Sequence, residues 1–231
     1  MNAVITGATQ GIGRAIAIKL AQNGYNLAIC ARNKAALLKF SNELQEMGIT
    51  VIALVTDCSD KQQVINFFNV VKDKMPKIDV LVNNAGTFLP GNILDEEDSA
   101  FEQQQLLNVN AAYYLCKYFG RMMCTAKSGH IFNICSVASV QAVENAGSYT
   151  VTKVAMLSLN KVLRKELAAY NVKVTAIMPG STLTASWTGT SIPAEEFVQP
   201  EDIANSLYSI LSLSSGANVD ELILTPLNFN K

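Results

Sequence analysis

Residues 6–13 read Thr6-Gly7-Ala8-Thr9-Gln10-Gly11-Ile12-Gly13 and follow directly on the apolar run Ala3-Val4-Ile5. The pattern is a strand, a glycine-rich turn and the start of a helix. Glycines let backbone amides approach a pyrophosphate closely, and a helix N-terminus favours its negative charge. The spacing, Gly7-x-x-x-Gly11-x-Gly13, differs from the Gly-x-Gly-x-x-Gly of the commonest dinucleotide fingerprint, and a plain glycine turn also accounts for it.

The same alternation continues outward from that turn. Strands are expected at Asn2 to Thr6, Asn26 to Cys30, Thr50 to Thr56, Val80 to Asn83, His130 to Cys135, Lys173 to Ile177 and Glu221 to Leu224. Helices are expected to begin near Ile12, Lys34, Lys61, Glu102, Ala146 and Pro200. Strand alternating with helix predicts an α/β fold, a doubly wound, parallel sheet of seven strands with helices on both faces. No linker, repeat or low-complexity tract divides the chain, so residues 1–231 are read as one domain.

Composition narrows the function classes. With 49% hydrophobic residues, a mean hydropathy of +0.20 and 18 basic against 19 acidic side chains, the chain can bury a sizeable core and carries no basic footprint. Nucleic-acid and membrane partners are therefore not expected. Cys30, Cys58, Cys116, Cys124 and Cys135 are odd in number and form no Cys-x-x-Cys pair, which reads as reduced thiols in a cytoplasmic protein. No apolar stretch approaches a membrane span, the apolar opening has no charged leader before it, and no His/Cys/Asp/Glu cluster has metal-ligand spacing.

In open sheets of this kind ligands sit beyond the carboxyl ends of the strands. After the second strand stand Ala31 and Arg32, where an acid ordinarily reads the adenosine ribose; Arg32 suits a ribose phosphate, so NADP(H) is preferred over NAD(H). Asp57 and Cys58 follow the third strand, and Asp57 can accept from an adenine amine or cap the next helix. Asn83-Asn84-Ala85-Gly86, after the fourth, is a tight polar turn where a cofactor floor belongs.

Tyr149 and Lys153 stand one helical turn apart, so on a helix they share a face. An adjacent ammonium favours a phenolate, which suits the pair to proton transfer. His130, the only histidine, begins a strand on the wrong side of Ser136 to act as its base and is read as structural. Cys135 adjoins Ser136, but strand alternation turns the two to opposite faces, so it is read as core.

Taken together these motifs resemble the short-chain dehydrogenase/reductase family almost from end to end. Thr6 to Gly13 is similar to its Thr-Gly-x-x-x-Gly-x-Gly turn, Asn83 to Gly86 to its Asn-Asn-Ala-Gly, and Tyr149-Thr150-Val151-Thr152-Lys153 to its Tyr-x-x-x-Lys. The resemblance implies a Rossmann fold and a tetrad of Asn108, Ser136, Tyr149 and Lys153; Ser136 precedes Tyr149 by the 13 positions the family requires, and Asn108 is chosen over Asn110. It also implies cofactor contacts from Gly7, Thr9, Gln10, Gly11, Ile12, Gly13, Asn84, Ala85 and Gly86, and from Pro179, Gly180, Thr182 and Thr184, similar to a Pro-Gly-x-x-x-Thr that holds the carboxamide of the nicotinamide.

The activity implied is hydride transfer between nicotinamide and a carbonyl or secondary alcohol. Tyr149 is expected to move the proton, Ser136 to hold the substrate oxygen, Lys153 to bind ribose hydroxyls and assist Tyr149, and Asn108 to position a water. The segment Leu183 to Phe197 is expected to cover the substrate, with Trp187, Leu183, Phe88 and Leu89 facing it. So short a lid favours a small ketone, aldehyde or hydroxy acid. Alternatives are a 3-oxoacyl-thioester reductase and a non-catalytic NADP-binding regulator. Relatives associate through their central helices, so a homodimer or homotetramer is implied.

Overall fold

The computed structural model describes residues 1–228. Seven strands, β1 (Asn2–Thr6), β2 (Asn26–Ala31), β3 (Val51–Val55), β4 (Val80–Asn83), β5 (Gly129–Ile134), β6 (Val172–Pro179) and β7 (Glu221–Leu224), form one sheet in the order β3-β2-β1-β4-β5-β6-β7. Every neighbouring pair is parallel. The fold is therefore the doubly wound, Rossmann-like one expected, and its switch point lies between β1 and β4.

The central strands are near-continuous apolar runs because both of their faces are covered. On one face α1 (Gly11–Gln22), α2 (Lys34–Gln45) and α7 (Pro200–Leu211) bury Ile16, Leu20, Leu37, Phe40, Ile203 and Leu207 with Ile5 and Ile29 of the sheet. On the other, α3 (Lys61–Lys74) and α5 (Ala111–Ala126) bury Phe67, Val71, Leu115 and Phe119 against Val4 and Leu81. Burial of each large side chain contributes roughly 1.5–3 kcal/mol. The helix α6 (Gly147–Ala168) packs Met156 and Leu157 on Ala176 and Met178 of β6.

Polar groups also set the register. Asn83 Nδ2 donates to Asn133 Oδ1 (2.8 Å), and Asn133 Nδ2 donates to Asn160 Oδ1 (2.9 Å), so one buried chain of amides ties β4 to β5 and β5 to α6. All three side chains are buried, where an unmade hydrogen bond costs about 1–3 kcal/mol.

Beyond one-residue shifts at the ends of β2, β3 and β5, two elements differ from expectation for a physical reason. The sixth strand extends past Lys173–Ile177 to Pro179 because it pairs on both sides, Gly129 with Val172 at its start and Pro179 with Leu224 at its end. The middle helix begins at Asp98, not near Glu102: α4 (Asp98–Gln104) passes through a π-helical turn, Gln105–Asn110, before α5 resumes. The extra residue in that turn breaks the 3.6-residue period from which a single helix was read. No described helix is long and apolar enough to cross a membrane.

His130 is structural, as read. It stacks on Phe132 with ring centroids 4.0 Å apart, and its Nε2 shares a 2.8 Å hydrogen bond with Thr175 Oγ1. Burial, aided by the charge of Lys173, lowers its pKa from an ordinary 6.5 to about 3. Below pH 6.5 the unfolded chain takes up a proton that the folded chain refuses, so this group makes folding less favourable as pH falls. Between pH 7 and pH 5 the loss is about 2 kcal/mol. Urea unfolding at the two pH values is expected to show that extra loss in the wild type and not in His130→Asn; equal losses in both would refute it.

Candidate active site

The glycine turn is shaped by what stands over it. Gly7 and Gly11 adopt left-handed backbone with φ of 64° and 52°, which a side chain resists. A Cβ on Gly13 would lie 2.4 Å from both Asn84 Nδ2 and the Gly7 carbonyl oxygen, so this glycine is required by packing. That places Gly13 beneath the turn, against Asn84. Asn84 Nδ2 donates to Thr6 O (2.9 Å) and Gly7 O (3.0 Å), and Thr6 Oγ1 accepts from Asn84 N (3.1 Å) and Ala85 N (3.0 Å).

Helix α1 begins at this turn without a side-chain cap from Gln10 and without an acid in its first turn. By contrast, Asn33 caps α2 and Asp60 caps α3. The first amides of α1 are left to a ligand or solvent. An open cleft of about 320 Å³ runs past them, floored by Gly7, Thr9, Gln10, Gly11 and Ile12. Ala31, Arg32, Thr56 and Cys58 line one side and Asn84, Ala85 and Gly86 the other. Arg32 is exposed and makes no ion pair among the described residues.

Asp57, Pro179, Gly180 and Thr182 make contacts within the protein and are not among the residues lining this cleft. Asp57 Oδ1 accepts from Ser59 N (2.9 Å) and Ser59 Oγ (2.7 Å), which turns the carboxylate into its own loop; the cap of α3 is Asp60, not Asp57. The wall beside Cys58 is supplied by Thr56 instead. Pro179 ends β6, Gly180 N donates to Leu224 O (2.7 Å), and Thr182 Oγ1 donates to Gly180 O (3.0 Å), so these three anchor the lid to the sheet instead of lining the cleft. Thr184 does line it, together with Ala185 and Ser186, and its Cγ2 lies 3.1 Å from the Cβ position of Gly11.

Beyond Gly86 the cleft floor approaches Asn108 and Lys153 of the expected tetrad. A Cβ on Gly86 would lie 3.1 Å from Asn108 Oδ1 and 3.8 Å from Lys153 Nζ. Lys153, only 6% exposed, donates from Nζ to Ile134 O (2.9 Å) and sits 5.6 Å from the centre of the Tyr149 ring. Ser136 Oγ accepts from Ala138 N (3.1 Å), and its own hydrogen has no acceptor among the described residues. Asn108 lies within the π-helical turn; its Oδ1 accepts from Thr87 N (2.8 Å), and its Nδ2 donates to Thr87 O (2.9 Å) and Thr152 Oγ1 (3.0 Å).

Phe88 meets the Tyr149 ring edge-on at 5.0 Å. Leu183 N donates to Val198 O (2.9 Å) and Val198 N to Ser181 O (3.1 Å), pinning the lid at its two ends, while Trp187 packs on Phe197 at 5.0 Å. Sequence reading did not single out Thr6, Thr87 or Thr152, whose hydroxyl or backbone groups hold Asn84 and Asn108; partners 78 and 44 positions apart leave no local signal.

Five cysteines are free thiols, and Cys30 and Cys58 approach to 3.8 Å beneath the cleft. The hydrogen bond with Cys58, together with burial, pushes the Cys30 thiol up. Burial likewise pushes Cys135 to about 11, which leaves it a core residue beside Ser136. No group of three or more His, Cys, Asp or Glu among the described residues is placed to hold a metal ion.

Known proteins are similar to this chain in sequence and in fold. An uncharacterised oxidoreductase of Staphylococcus aureus (strain MW2) is 30% identical over 97% of this chain and 96% of its own length, and one of Staphylococcus saprophyticus is 32% identical over the same shares. Among solved structures, an alcohol dehydrogenase from the archaeon Thermococcus sibiricus, complexed with 5-hydroxy-NADP, superposes with a TM-score of 0.90 at 29% identity, covering 98% of this chain and 96% of that one. The L-sorbose reductase of Gluconobacter frateurii, complexed with NADPH and L-sorbose, gives 0.90 at 27% identity, covering 97% and 95%. The family described as short chain dehydrogenase matches residues 1–193, and the chain belongs to that family of oxidoreductases.

Proposed function

We propose that this oxidoreductase binds NADP(H) in the cleft at the β1/β4 switch point and interconverts a small, uncharged ketone or aldehyde and its alcohol. The observation that carries the reading is the convergence of Gly86, Asn108 and Lys153 at the end of an uncapped, glycine-floored helix start. Such a floor fits a dinucleotide: the first-turn amides of α1 suit a pyrophosphate, and the unpaired Arg32 suits a ribose phosphate. Structural relatives complexed with NADP or NADPH support the same cofactor.

Bound NADP(H) supplies or accepts the hydride at its nicotinamide. The chain's own residues handle the oxygen and the proton. Ser136 has an uncommitted hydroxyl hydrogen to donate to the substrate oxygen, where charge develops as the carbonyl is reduced. Tyr149 delivers the proton, with its ring plane fixed by Phe88. Lys153 uses one of its three N–H donors on Ile134 O and keeps two for ribose hydroxyls.

Asn108 needs a revised part. Its side chain is spent on Thr87 and Thr152, so a proton-relay water is assigned to the main chain of the widened turn and not to the carboxamide. The lid argues for an uncharged substrate: residues 181–199 contain Glu195 and Glu196 and no Lys or Arg, which disfavours a phosphopantetheine thioester or a free carboxylate. The free thiols suit a cytoplasmic location. A homodimer or homotetramer is supported by an exposed apolar stripe on α6, Val151, Val154 and Val162, and by the exposed Tyr113 of α5.

Tyr149→Phe is expected to keep NADPH affinity, read by fluorescence titration, while turnover falls by roughly 100- to 10,000-fold; full activity would remove tyrosine from the mechanism. Arg32→Asp is expected to lower the preference for NADPH over NADH, measured as the ratio of kcat/KM values, by roughly 10- to 100-fold. An unchanged ratio would mean that the ribose phosphate is read elsewhere.

A further inference from the structure

The loop from Thr87 to Glu97 crosses in front of the first turn of α6, and three contacts hold it there. Gly91 N donates to Asn145 O (2.9 Å) and Gly147 N donates to Gly91 O (3.0 Å), a two-bond bridge at the helix start. A Cβ on Gly147 would stand 2.4 Å from Ile93 Cγ1, so loop and helix touch with no room for a side chain. Finally, Ser148 Oγ donates to Glu96 Oε1.

The carboxylate of Glu96 stands out in this seam. Its Oε2 is buried and has no hydrogen-bond partner among the described residues, a placement that costs stability on its own account. Ser148 is 4% exposed and immediately precedes Tyr149. Helix α6 has no side-chain cap at Ala146 and no acid in its first turn, so Glu96 supplies from another segment the negative group that this helix start lacks. Gly91 makes the room: a Cβ there would lie 3.0 Å from Glu96 Cβ and 3.3 Å from Oε2.

The loop carries two further links to the site. At its beginning Thr87 clasps Asn108, and Phe88 packs edge-on to Tyr149. The loop is thus fastened to the π-helical turn at one end and to the residue before Tyr149 at the other.

We infer that Glu96 is a positioning residue: through Ser148 it latches the first turn of α6 to the Phe88 loop and so fixes the Tyr149 hydroxyl for proton transfer. This rests on the reductase reading above, in which Tyr149 carries the proton. Glu96 touches neither substrate nor cofactor in this role and acts only through the placement of Tyr149.

The test labels tyrosine rings with ¹³C and assigns the Tyr149 resonance by its loss in Tyr149→Phe. Glu96→Ala is expected to shift that resonance away from its wild-type position and to lower kcat by roughly 10-fold or more. KM for the carbonyl, NADPH affinity and the thermal midpoint are expected to stay near wild type. Glu96→Gln, which keeps an acceptor for Ser148, is expected to restore most of both signals, and Ser148→Ala added to Glu96→Ala to cost nothing further. A Tyr149 resonance unmoved in Glu96→Ala, or a moved resonance with unchanged kcat, overturns the inference. If the wild type turns over no carbonyl, the reductase reading fails by itself, and the resonance alone then decides whether the latch exists.

Discussion

The amide nitrogen of Asn84 sits in the space a side chain on Gly13 would need and donates to two consecutive carbonyls, Thr6 O and Gly7 O. Much of the cleft depends on that wedge. It locks the turn after β4 onto the turn after β1, across the one place in the sheet where the strand order reverses. Because Thr6 Oγ1 accepts hydrogen bonds from Asn84 N and Ala85 N, the two turns are fixed relative to each other by side chain and main chain together. A cleft built this way needs no rearrangement to present its amides.

From the same strand the neighbouring residue works in the other direction. Asn83 reaches Asn133, and Asn133 reaches Asn160 on the sheet-facing side of α6. Asn160 is seven positions, two helical turns, beyond Lys153, so the buried amides register the helix face that also carries Lys153. The cofactor floor and the proton-transfer pair are thereby referenced to adjacent asparagines at the end of β4. Buried amide hydrogen bonds are stiff reference points, since breaking one would leave a further unpaired polar group beside Asn83 Oδ1, which has no partner among the described residues.

The architecture was legible in the sequence because two-sided burial writes each central strand as an apolar run; Val80–Asn83 and Asn2–Thr6 were read to the residue. The glycine turn was legible because close backbone approach restricts residue type strongly. Other features were not. The π-helical turn at Gln105–Asn110 looks like ordinary helix in composition, and only its widened spacing distinguishes it. The hold of Ser59 on Asp57 Oδ1 was not legible, because residue type and place alone do not reveal it. The bond from Gly180 N to Leu224 O was not legible because a local motif cannot show that β7 lies alongside.

The most direct test of the central claim uses NADPH deuterated at the nicotinamide C4 with the purified protein and a panel of small, uncharged ketones and aldehydes. The account predicts that NADPH is consumed with at least one of them and that deuterium appears on the carbinol carbon of the alcohol formed. NADPH that binds tightly and remains unoxidised across the panel, or an alcohol formed without the label, would contradict it.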